Sequence, residues 1–315
     1  MLMTLISFAS TQIEPLLTHN STDKNFDLSI YEKNLRERTS LTVPLEKALD
    51  ILKQLSQFEL GRFLLANKGL NGYWTSYTII HGPKKTSLTP LEKWLLNKAP
   101  SVKATQARFQ IFQQQLQNYL KSESKVASIP CGLMDELLGL DYSNTKDIRI
   151  TGIDLDEKSL QLAKENATKY KIDNIELTKK NAWNLGVTEE YDIITSNGLN
   201  IYEPSNEKVI LLYKEFYKAL KPNGILVTSF LTPPPTLSKQ SPWENYSTED
   251  ALKQKVIFSD IIQATWQVFR TEAETREQLK IAGFTVIDVI CDDQGIFPTV
   301  VAQKITRDSF KKGDL

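Results

Sequence analysis

The chain has 315 residues, 41% of them hydrophobic and 24% charged, which suits a globular protein of one large or two smaller domains. Lys+Arg and Asp+Glu both number 38, so the formal net charge is zero and the basic footprint of a nucleic-acid binder is missing. Cys131 and Cys291 lack metal-ligand spacing and fit a reducing cytoplasm, while Met1 to Ser10 is apolar but short and without a basic flank, so neither a signal peptide nor a membrane span is expected.

From Asp23 to about Leu120 the pattern is helical. Val43-Pro44-Leu45 opens a stretch with Leu45, Leu49, Leu52 and Leu55 on one helix face. Gly69 to Tyr77 reads as a turn rich in aromatics, followed by the strand-like run Thr78-Ile79-Ile80 and then His81. A helix is expected from Thr89-Pro90 through Leu91, Trp94 and Leu95. Another runs from Val102 with Phe109, Phe112, Leu116 and Leu120, ahead of a polar joint, Lys121 to Lys125.

Beyond the joint the period changes. Strands are expected at Val126 to Ile129, Ile148 to Asp154, Ile175 to Leu177, Tyr191 to Thr195 and Ile225 to Phe230, with two closing strands at Phe284 to Val289 and Thr299 to Ile305. Helices are expected at Ser159 to Tyr170, Lys208 to Leu220 and Thr271 to Ala282, the last closed by Gly283. Lys221-Pro222-Asn223-Gly224 reads as a turn. This alternation implies an α/β fold, a mainly parallel sheet with helices on both faces. The natural partition is 1–120, a helical lid or substrate subdomain, and 121–315, the sheet domain.

The most informative stretch is Gly152-Ile153-Asp154-Leu155-Asp156, a strand that ends on a carboxylate and passes into a helix. In open α/β sheets such an acid meets the ribose of a nucleoside, and a charged acceptor strengthens the hydroxyl hydrogen bonds. The alternative for Asp154 is a plain helix cap; Asp156 reads as the N-cap.

Four segments in order, Gly152 to Asp156, Asn181-Ala182-Trp183, Tyr191 to Gly198 and Leu220 to Leu226, together with Ala282-Gly283-Phe284-Thr285 near the end, make the region from Val126 to Ile305 resemble the class I S-adenosylmethionine-dependent methyltransferases. The resemblance implies a Rossmann-like seven-stranded sheet, S-adenosylmethionine as cofactor and S-adenosylhomocysteine as product. It departs in the first turn, Ser128 to Met134, where Pro130 and Gly132 stand in place of a glycine-rich loop. By the same resemblance Asp154 takes the ribose diol, and Leu155 and Trp183 sandwich the adenine, unless Trp183 is plain core. Asn181 and the Ala182 amide meet the adenine edge, unless Asn181 is only a turn residue. Asn197 faces the sulfonium or methionine tail. Tyr202 lies where acceptor and methyl group meet, or else is a hydrophobic lid residue.

Tyr73, with Trp74 and Tyr77, forms either a lid over the ligand or packing between layers. Arg108 pairs the methionine carboxylate or is a surface arginine. His81 is the candidate general base. Pro233-Pro234-Pro235 is a site wall or a connector. Displacement at a sulfonium needs alignment more than a base, so catalytic candidates are confined to Tyr202 and His81. The expected activity is methyl transfer to a small-molecule acceptor in the cytoplasm. Alternatives are methylation of tRNA or a protein side chain, with Lys84, Lys85, Lys93, Lys98 and Lys103 as the basic candidates, and a non-catalytic interaction module.

Overall fold

The protein is described by a computed structural model covering residues 26–305; the apolar start Met1 to Ser10 and the onset at Asp23 lie outside the described residues. Six helices come first: α1 (Leu28–Arg36), α2 (Leu45–Leu55), α3 (Glu59–Asn67), α4 (Gly72–Ser76), α5 (Pro90–Asn97) and α6 (Pro100–Tyr119). Then strands and helices alternate: β1 (Lys125–Ser128), α7 (Asp135–Leu138), β2 (Arg149–Asp154), α8 (Glu157–Tyr170), β3 (Ile175–Lys179), β4 (Tyr191–Ser196), α9 (Asn206–Ala219) and β5 (Leu220–Ser229). The chain closes with α10 (Thr248–Lys255), α11 (Glu272–Ala282), β6 (Thr285–Ile290) and β7 (Thr299–Gln303).

The strand order is β3-β2-β1-β4-β5-β7-β6. β1 to β5 are parallel, and β7 runs antiparallel to both β5 and β6. The order reverses between β1 and β4, a switch point at whose carboxyl edge open sheets hold ligands. The central strands are apolar because helices cover both faces: Val126, Ala127, Ile193, Ile194, Leu226 and Val227 are buried.

Local chemistry sets the helix ends. Asp156 caps α8 by accepting from the Lys158 and Ser159 amides. Thr271 and Glu274 form a capping box on α11, and Gly283 ends it with φ +105. The turn expected at Lys221 to Gly224 lies inside the span of β5. Tyr191 pairs Leu220 and Ile193 pairs Ile225, so the intervening residues form an irregularity beside Asp192, where Lys221 meets its carboxylate at 2.6 Å.

Two expectations are corrected in the helical layer. Thr78-Ile79-Ile80 is not strand-like: Tyr77–His81 is a π-helical turn continuing α4. The layer also does not end at residue 120. Val256, Ile257, Phe258, Ile261 and Ile262, at and beyond the end of α10, join one core cluster with α2, α3 and α5. This segment between β5 and β6 escapes a periodicity reading because α10 itself is polar and short, with its apolar residues crowded into the turn that follows it.

Candidate functional site

The first turn is built without a glycine-rich loop. After β1 the chain passes Ile129-Pro130 with a cis peptide and reaches Gly132 at φ +49, a conformation glycine takes without strain. The Gly132 amide donates to Asp154 Oδ2 at 3.0 Å, and the Asp156 amide donates to Asp154 Oδ1 at 3.0 Å. Asp154 thereby ties the first turn to the end of β2. Burial pushes its carboxyl up, while these two amides pull the other way.

Beside this carboxylate, Leu155, Asn181, Ala182 and Trp183 line one cavity of about 280 Å³, close to the lower end of the ~300–1,000 Å³ typical of ligand pockets. Asn181 Oδ1 accepts from the Trp183 amide at 3.0 Å, and the Trp183 indole donates to the Lys208 carbonyl at 2.7 Å. Asn181 thus shapes the turn and also borders the cavity. At the end of β4, Asn197 has a buried Oδ1 with no hydrogen-bond partner among the described residues. A buried polar atom of this kind calls for a ligand or water. Tyr202 follows on a short 3-10 turn and also lines the cavity. Burial pushes its phenol up to about 12, and the Leu70 backbone is hydrogen-bonded to it.

The helical layer roofs the site. Leu70, Asn71, Gly72, Thr75 and Ser76 line it from above. Gly72 sits so close to the first turn that a Cβ there would lie 2.8 Å from the Gly132 Cα and 2.7 Å from Ser159 Oγ. The lid aromatics take the packing role instead. Trp74 and Tyr77 are core residues, stacked edge to face at 5.1 Å, and Tyr73 is 43% exposed and outside the cavity lining. Tyr73 is thus corrected as a ligand contact: with Trp74 and Tyr77 drawn inward by helical spacing, it is left on the outer face. His81 is exposed and does not line the cavity either, although Thr78, Ile79 and Ile80 of the same π-helical turn do. Pro233-Pro234-Pro235 is likewise a connector outside the lining.

Arg108 overturns the surface reading. It is 5% exposed and lines the cavity. It donates to Ser229 Oγ at 3.3 Å and lies 4.5 Å over the Phe297 ring. Glu136, on α7, received no sequence-level role and yet lines the same cavity. The Ser128 hydroxyl donates to its carboxylate, and burial pushes that carboxyl up to about 7 against the pull of Ser128. Only the position of α7 under the first turn reveals it; a Glu in a four-residue helix carries no signal of its own.

A family model described as a methyltransferase domain matches residues 120–283, just over half of the chain. The chain belongs to this methyltransferase domain family. The chain carries this methyltransferase domain on a class I, Rossmann-like sheet, and the described residues fit the S-adenosylmethionine that the resemblance implies: a carboxylate at the end of β2, an apolar slot beside it and an orphaned amide oxygen at the β4 end. A solved structure from Bordetella parapertussis, described as a possible exported protein, is 41% identical with a TM-score of 0.85, over 89% of this chain and 94% of its own. Magnesium protoporphyrin IX methyltransferase from Synechocystis, solved with S-adenosylhomocysteine, shares the fold at 14% identity and a TM-score of 0.50, over 74% of this chain and 98% of its own. A ribosomal protein L11 methyltransferase from Dictyoglomus thermophilum is 31% identical over 115 residues, 36% of this chain and 35% of its own. The match thus spans about a third of the length of such curated relatives. Among the described residues no helix is long and apolar enough to cross a membrane.

Proposed function

We propose that this methyltransferase acts on a small, largely apolar acceptor held between the sheet edge and the helical layer. One observation carries the reading. The cavity lined by Asp154, Asn197 and Tyr202 is also lined by the apolar Leu64, Ile80, Val102, Phe258 and Trp266. Apolar walls with few placed polar groups suit a small ligand, and the enclosing helices leave a folded macromolecule little access.

When bound, S-adenosylmethionine supplies an electrophilic methyl group on a sulfonium. In this reading Asp154 takes the ribose hydroxyls, Leu155 and Trp183 flank the adenine, and Asn181 and the Ala182 amide meet its edge. Pro130 and Gly132 let the backbone approach, and Asn197 with Glu136 faces the cationic methionine end. Glu136 fits because a cation beside it favours its ionised form. Tyr202 orients the acceptor; with its phenol pushed up to about 12 it stays protonated at neutral pH and keeps a hydroxyl proton to donate. The rate then comes from alignment and exclusion of water.

A second reading rests on the L11 methyltransferase relatives, in which a protein side chain reaches the same methyl group. The cytoplasmic location expected from two unpaired cysteines, Cys131 and Cys291, belongs to the proposal as well, and cell fractionation checks it.

The deciding experiment is calorimetric titration with S-adenosylmethionine and S-adenosylhomocysteine, followed by methyl-transfer assays on small apolar acceptors and on ribosomal protein L11. Saturable binding and transfer to a small acceptor support the proposal. Transfer to L11 alone replaces it with the second reading, and absence of cofactor binding overturns both.

A further inference from the structure

Arg108 is a buried charge without a contact counter-ion. Among the described residues no carboxylate lies within ion-pair distance of it, and its Nε–H has no hydrogen-bond partner. Asp292 acts on its charge only from beyond contact distance, and its two oxygens accept from the Gln294 and Phe297 amides at 3.0 and 2.6 Å. One Nη reaches only the neutral Ser229 hydroxyl, at a long 3.3 Å. Burying a guanidinium so is costly unless an anion completes it. Burial pulls Arg108 down to about 10, so it remains charged at neutral pH.

Its surroundings in the cavity point to the kind of anion. The guanidinium touches Ser229 at the end of β5 and Phe297 ahead of β7, and Gly198 after β4 lies beside it. Phe297, which the guanidinium covers, lines the same cavity together with the apolar Val102, Ile201 and Trp266, so Arg108 borders the apolar part of the cavity. A planar guanidinium on the cavity wall suits a planar, bidentate carboxylate.

We propose that the methyl acceptor carries a carboxylate on an apolar body, and that Arg108 is the specificity-determining residue that holds it. The inference rests on the methyl-transfer reading above and names the acceptor class for it.

The test uses octanoate and its neutral counterpart 1-octanol as probes, titrated into the full chain with and without saturating S-adenosylhomocysteine. The protein is compared as wild type, Arg108→Gln and Arg108→Lys. Wild type should bind octanoate at least about tenfold more tightly than octanol. Arg108→Gln should erase that preference while S-adenosylhomocysteine affinity stays within about threefold. Arg108→Lys, which keeps the charge and loses the fork, should retain a reduced preference. Equal binding of the two probes by wild type overturns the proposal. So does a tenfold or greater loss of S-adenosylhomocysteine affinity in Arg108→Gln, which would give the guanidinium to the cofactor's carboxylate. Should Arg108→Gln fail to fold by its melting curve, Arg108→Lys and the wild-type comparison decide. Failure of wild type to bind S-adenosylhomocysteine sinks the methyl-transfer reading instead, and the octanoate preference measured without it remains readable.

Discussion

Asp154 and Glu136 sit in one cavity and answer to different causes. Asp154 is held by the Gly132 and Asp156 amides, so its substitution removes both a ligand acceptor and a clasp on the first turn. Asp154→Ala should weaken S-adenosylhomocysteine binding about 100-fold, near 3 kcal/mol, with a smaller loss of melting temperature. Unchanged affinity by calorimetry would remove the ribose assignment. Glu136 is a carboxyl whose folded pKa is raised to about 7 by burial, among Ser128, Asp135, Cys131, Asp154 and Tyr142. Between its ordinary 4.5 and 7 the folded state binds more protons than the unfolded one. Stability therefore falls as pH rises through that window, by about 3 kcal/mol for a shift of this size. Urea unfolding at pH 5 and pH 8 should show the decline in wild type and a flatter profile in Glu136→Gln. The same profile in both proteins would mean that Glu136 is not the titrating group.

Among the elements, α4 bears most directly on the site because it rests on the first turn. The approach of Gly72 to the Gly132 backbone leaves no room for a side chain. Gly72→Ala should push α4 off the turn, at the 1–3 kcal/mol typical of overpacking, and weaken cofactor binding in step. A variant with wild-type cofactor affinity would show that the roof shifts freely. This contact was not legible in the sequence. Gly69 to Tyr77 reads equally as an aromatic lid or as packing between layers, and which aromatics turn inward depends on the helix that α4 forms and on the π-helical turn after it. That geometry buried Trp74 and Tyr77, exposed Tyr73 and left His81 outside the cavity lining.

At the scale of the whole molecule, the helical layer is one packed body made from two distant stretches, the chain ahead of β1 and the segment after α10. Ile257, in the second stretch, is fully buried in the shared cluster. Ile257→Ala should cost about 2–5 kcal/mol and leave a single cooperative urea transition, because the cluster it belongs to is continuous. A loss below ~0.5 kcal/mol would show the insertion to be a loosely attached flap.

The sheet and its ligand edge could be read from the chain alone. Apolar strand runs, helix faces and caps such as Asp156 and Thr271 are local signals, and their alternation limits the topology. Asp154 was legible for the same reason: a strand-end acid followed at once by a helix is a local pattern with one place in the fold. Arg108, Glu136, Phe258 and Tyr73 had to wait for the tertiary structure. Burial of a single charged or aromatic side chain is decided by what packs against it in space: β5 and the lead-in to β7 for Arg108, the end of β1 for Glu136, and α2, α3 and α5 for Phe258. No period in the sequence records such a meeting.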